Sequence, residues 1–173
     1  MIRIFLSSLL LCAAAGAANP ACQAAADAME NVYKFPVHIY TVETAAWHPS
    51  GPRSSELIYL NDATYIFVNG RWRTMPMSQE QVQAARQKAG AALDPHASCD
   101  ALGMETVNGE PAAVYRIQVQ DKDERVDEKV WIWPVRHLAL KAEADMDVGG
   151  AAGKSHRSTR YEYTNVHAPA GLR

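Results

Sequence analysis

Residues 109–143, GEPAAVYRIQVQDKDERVDEKVWIWPVRHLALKAE, constrain the fold more than any other part of the chain. Apolar and polar residues alternate there at period two, the pattern of strands buried on one face. Residues 113–120 set Tyr115, Ile117 and Val119 against Arg116, Gln118 and Gln120, and a charged run, 121–128, forms the connection. Residues 129–133 make a second strand that stops at Pro134, which has no N–H to give a ladder. In 138–143, Leu138, Leu140 and Ala142 alternate with Ala139, Lys141 and Glu143. Three consecutive antiparallel strands predict a curved sheet with one apolar face, suited to an oily ligand. None of these residues is an obvious catalyst.

The rest of the chain supplies more strands and two helices. Residues 21–32 have good helix formers with Ala25, Ala28, Met29 and Val32 in phase, Asn19 as cap and Pro20 in the first turn. Strands are expected at 36–47, 56–60, 64–68 and 71–75, the last two joined by Asn69-Gly70, a pair that tolerates positive φ. A second helix is expected over 78–92, where Ser78 and Gln81 form a capping box and Val82, Ala85, Ala89 and Ala92 share a side. A loop, 94–100, carries Cys99. A strand at 101–107 turns at Asn108-Gly109 into the meander, and a last strand covers 158–166. Runs of strands with only two helices indicate an antiparallel α+β fold. A twisted sheet of so many strands tends to curl, giving an incomplete β-barrel capped by helices.

The N-terminus bears on where this fold works. MIRIFLSSLLLCAAAGAA has a short basic start at Arg3, an apolar run too short to span a bilayer, and small residues at its end. Residues 1–18 are therefore read as a signal peptide and 19–173 as a single domain, exported to the periplasm. The mature chain of roughly 155 residues is long enough for one real core and has no second segment fit to cross a membrane. Formal net charge is −2 for the whole chain. Lys and Arg are scattered rather than gathered on a stripe, so nucleic acid is not an expected partner. Cleavage leaves Cys22 and Cys99, and an even pair in an oxidising compartment most often forms a disulfide. Closing that loop of roughly eighty residues is worth roughly 4 kcal/mol by chain entropy. A metal or redox pair normally shows closer cysteine spacing.

GEPAAVYRI at 109–117, KVWIWPVRHLALKAE at 129–143 and the closing YEYTNVHAP at 161–169 resemble the periplasmic lipoprotein-carrier superfamily, the LolA/LolB-type half-barrel. The resemblance covers most of the mature chain in order, with its sharper phrases in the C-terminal half. It implies an unclosed antiparallel barrel, covered by helices, whose hydrophobic interior holds acyl chains.

Candidate site residues follow from both lines of reasoning. Large aromatic and apolar groups on the strands, Tyr40, Tyr59, Phe67, Trp72, Tyr115, Trp131, Trp133 and Leu138, are the expected lining of a hydrophobic cavity, though each also suits ordinary core packing. The six histidines show no metal-ligand spacing, so neither metal nor cofactor is expected. No serine sits in a nucleophile elbow, and Gly149 to Ser155 lacks the spacing of a phosphate loop. The expected function is non-catalytic: binding or carrying a lipid, acyl chain or other hydrophobic small molecule. The alternative is an envelope protein-interaction module on the same scaffold, marked by an exposed aromatic patch in place of an enclosed one.

Overall fold

A computed structural model describes residues 19–47, 50–61, 63–75, 81, 84, 97–122, 124–147, 149, 153–170 and 172. The expected signal peptide, 1–18, lies outside them. So does the expected helix at 78–92, apart from Gln81 and Ala84, which are helical and exposed.

The first helix, α1 (Pro20–Asn31), starts as the sequence predicts: the Asn19 side chain accepts a hydrogen bond from the Ala21 amide at 2.9 Å, and Pro20 occupies the first turn. A single 3₁₀ turn, Val32–Lys34, leads into β1 (Val37–Ala45). Then come β2 (Arg53–Leu60), β3 (Ala63–Val68), β4 (Arg71–Met75), β5 (Ser98–Val107), β6 (Glu110–Gln120), β7 (Arg125–Trp133), β8 (Leu138–Asp147) and β9 (Lys154–Glu162). All nine strands form one sheet in the order β4-β3-β2-β1-β9-β8-β7-β6-β5, antiparallel throughout. The two meanders, β1–β4 and β5–β9, are joined along the β1–β9 pair. The chain leaves the sheet at one edge with Met75 and rejoins it at the other with Ser98. Among the described residues the sheet does not close, which is the open, curved half-barrel expected.

Both Asn-Gly turns hold. Asn69 and Gly70 have φ of 52° and 74°, and Asn108 and Gly109 have 53° and 88°, the paired positive values that a two-residue hairpin loop demands. Three boundaries differ from expectation. The charged run 121–128 is not a long connection: Val126 pairs opposite Val119 and Glu128 opposite Ile117, so the ladder runs on to the Gln120–Arg125 pair, beyond which the Asp121 amide donates to the Glu124 carbonyl at 2.8 Å. Cys99 sits on β5 opposite Ile117 instead of in a loop. The last strand is Lys154–Glu162, displaced toward the N-terminus because Ser155 through Glu162 match β1 from Ala45 back to His38.

Successive side chains on a strand point to opposite faces. On one face, Val37, Ile39, Tyr59, Ile117, Val130, Ile132, Ala139, Ala142 and Tyr161 form the main core with Ala21, Ala25, Ala28 and Val32 of α1. Three alanines let the helix axis approach the sheet closely. Cys22–Cys99 bonds the helix to β5. The Asn19 side chain donates to the Cys99 carbonyl at 2.8 Å, and Asn31 donates to the His137 carbonyl at 3.1 Å. The helix is thus fastened at both ends. A smaller cluster, Ala112, Val114, Trp131 and Leu140, lies on the far face. A bulge explains Leu140: Trp131 pairs with Lys141 but Ile132 with Ala139, so Leu140 is an extra residue whose side chain joins Trp131.

Candidate functional site

The register divides the candidate residues between the two faces. Tyr59 and Tyr115 lie on the α1 face, with the main core. Tyr40, Phe67, Trp72, Trp131 and Trp133 lie on the far face, so the eight residues do not line one cavity. Leu138 pairs with Trp133 and is 0% exposed, a core residue with no free surface.

On the α1 face the helix lies over β5 to β8. The β1–β4 half carries an apolar row bordered by a charge: Ile39 pairs with Leu57 and Leu57 with Ile66, Ile66 stands opposite Arg73, and Met75 lies opposite Thr64. Leu57, Ile66 and Met75 are half-buried. Tyr33 meets Tyr59 edge to face at 5.6 Å, between the helix and this row. Burial pushes the hydroxyls of Tyr33, Tyr161 and Tyr163 up from the usual tyrosine range, so these are neutral polar groups within an apolar setting. The Tyr163 hydroxyl donates to the Ala139 carbonyl at 2.8 Å.

Two adjacent carboxylates on β7 take opposite fates because they face opposite ways. Asp127, on the far face, is clamped by both ends of the Arg116 guanidinium and by Gln118, and Arg116 holds its carboxyl below the usual range. Glu128, on the α1 face beside Ile117 and Ala144, is pushed up by burial, with Arg157 only partly offsetting it. A carboxyl whose folded pKa is raised binds its proton more tightly when folded, so its charged form opposes folding. That penalty is absent below the unfolded pKa of about 4.3 and complete above the folded value. Glu128→Gln is therefore expected to raise the melting temperature at pH 7, with the gain vanishing near pH 4. Asp127→Asn is expected to lower it at pH 7, since the Arg116 pairing contributes above the unfolded pKa and is lost as pH falls through the folded one. Thermal melts across pH 3.5–8 check both signs, and parallel profiles for the two variants would contradict the assignment.

The far face carries an ordered row. Read across the ladder, Trp72 pairs with Phe67, Phe67 with Glu56, Glu56 with Tyr40, Tyr40 with Arg160, Arg160 with Lys141, and Lys141 with Trp131. At strand spacings of 4.7–4.9 Å these steps span roughly 28 Å. Ring and charge contacts follow the row. Phe67 and Trp72 lie 5.3 Å apart, and His38 stacks on Tyr40 at 3.9 Å and meets Trp72 at 5.9 Å. The Arg160 guanidinium sits 4.4 Å over Tyr40 and the Lys141 ammonium 4.5 Å over Trp131. His38 is fixed from both sides, by Glu56 at 3.0 Å and the Tyr40 hydroxyl at 2.9 Å. Burial, helped by Glu162, raises the Tyr40 hydroxyl above the usual tyrosine range. Among the described residues no group of three or more His, Cys, Asp or Glu is placed to hold a metal ion. None of their helices is long and apolar enough to cross a membrane.

No family model and no curated protein sequence matches the chain. Solved structures do. The lipoprotein LppX of Mycobacterium tuberculosis is 13% identical, aligns over 88% of this chain and 100% of its own, and superposes with a TM-score of 0.51. The chain shares the fold of LppX. LprF from Mycobacterium bovis aligns over 91% of this chain and 98% of its own at 10% identity, TM-score 0.48. The Pseudomonas aeruginosa MucA/MucB complex matches at 15% identity and a TM-score of 0.49, over 90% of this chain and 61% of that one. The chain thus spans somewhat under two thirds of the length of that match. An open antiparallel sheet with its core packed beneath a helix is the half-barrel fold expected from the sequence.

Sequence reasoning found the aromatic members of the row but missed Arg160, Lys141 and Glu128. Arg160 and Lys141 come from separate strands, and only the register brings them together.

Proposed function

We propose that the protein is an exported periplasmic carrier or binding protein that holds an acyl chain or similar hydrophobic ligand on the α1 face of its half-barrel. The observation that carries this reading is the wall of Ile39, Leu57, Ile66 and Met75, which runs on beyond the strands that α1 overlies. The tyrosines beside it supply polar edges to an apolar surface, the composition of a ligand pocket. The fold shared with LppX supports the same reading, and the leader-like 1–18 supports export. Affinity comes from apolar burial at about 25 cal/mol per Å², less the cost of ordering the ligand.

The test uses delipidated protein and a fluorescent fatty acid. Wild type is expected to bind saturably, and Ile66→Glu, which sets a charge in the wall, to weaken binding at least tenfold while leaving the melting temperature close to wild type. Absence of saturable binding, or equal binding by the variant, overturns the proposal.

A further inference from the structure

The far face holds a second site of different chemistry. A groove of about 340 Å³ opens over Trp131, lined among others by Glu105, Asn108, Lys141, Ser158 and Arg160. Lys141 and Arg160 stand directly opposite one another in the β8–β9 ladder, an arrangement that costs stability when two like charges face each other. Each is steadied by the carboxylate two residues along its own strand: Lys141 by Glu143 at 2.7 Å and Arg160 by Glu162 at 3.3 Å. Neither Glu143 nor Glu162 lines the groove, so the carboxylates hold the cations in place without filling the space between them. The one acid that does line it, Glu105, is engaged by the Trp131 indole N–H at 2.7 Å. Beside that engaged carboxylate, what faces the groove is a set of donors: an ammonium, a guanidinium, the Ser158 hydroxyl and the Asn108 amide. Each ring along this stretch already carries a cation on its face, which fixes the cation's position.

We propose that this groove binds a phosphate group, with Lys141 and Arg160 as its cationic clamp and Ser158 as a hydroxyl donor. A fork of guanidinium donors beside an ammonium suits an anion with several acceptor oxygens. The phosphate has two possible sources, a phospholipid headgroup or a soluble phosphate ester, and the groove's chemistry is the same for both. The site lies across the sheet from the apolar wall, so it stands or fails separately from the acyl-binding proposal.

The indole resonance of Trp131 in ¹⁵N-labelled protein reports on the site, with that of Trp72 as an internal reference at the far end of the row. Titration with inorganic phosphate at constant ionic strength is expected to move the Trp131 resonance saturably while Trp72 stays in place. Lys141→Gln and Arg160→Gln should each weaken the response at least tenfold and leave fatty-acid binding unchanged. A linear shift that chloride reproduces, or a response unaltered in the double variant, overturns the proposal. Flotation with phosphatidylcholine vesicles with and without phosphatidic acid then separates the sources. Dependence on phosphatidic acid, lost in the double variant, assigns the site to a lipid headgroup. Phosphate binding without flotation assigns it to a soluble ester.

Discussion

Replacing Cys22 and Cys99 together by alanine is expected to lower stability by about 4 kcal/mol and the melting temperature by on the order of 10 °C. The bond joins positions 77 residues apart, so its removal frees a long loop of the unfolded chain. The folded state loses something specific as well. A helix of 12 residues is marginal by itself, and α1 meets the sheet largely through alanines, which bury little area each. Its tethers are the disulfide, the Asn19 bond to β5 and the Asn31 bond to the β7–β8 turn. Without the bond, α1 amides should lose hydrogen-exchange protection ahead of those in β6–β8. A drop of less than about 2 °C, or uniform loss of protection, would show that packing alone holds the helix.

The sheet was legible because its signals are local. Period-two alternation in 109–143, the two Asn-Gly turns and an even cysteine pair each act over a few residues or need no geometry at all. The run 121–128 misled because charge was read as a turn, whereas Val126 and Val119 form a cross-strand pair that carries the ladder through it. The candidate site was legible only as composition. Which face an aromatic occupies depends on its phase against strands far off in sequence, and the Leu140 bulge shifts that phase within β8. Tyr40 and Arg160 belong to β1 and β9, at opposite ends of the domain, so no window along the chain contains their contact. The far-face row is a product of register.

Leu138 gives the sharpest separation between packing and binding, because by type it suits a ligand contact and by position it is core. It is 0% exposed and among the largest fully buried side chains. It starts β8 directly after the turn whose His137 carbonyl anchors Asn31, so a void there loosens the strand start under the helix. Leu138→Ala is expected to cost about 2–5 kcal/mol, the lost transfer energy plus that of the cavity left behind. Leu138→Met, nearly equal in volume, should cost less than about 1.5 kcal/mol. Denaturant midpoints measure both, and binding of the fatty-acid probe well below the melting temperature should stay within about twofold of wild type, far short of the tenfold that marks a lost contact. If Leu138→Ala instead leaves the midpoint within about 1 kcal/mol of wild type and abolishes probe binding, Leu138 is wall and not core, and the ligand reaches the far side of the β7–β8 pair.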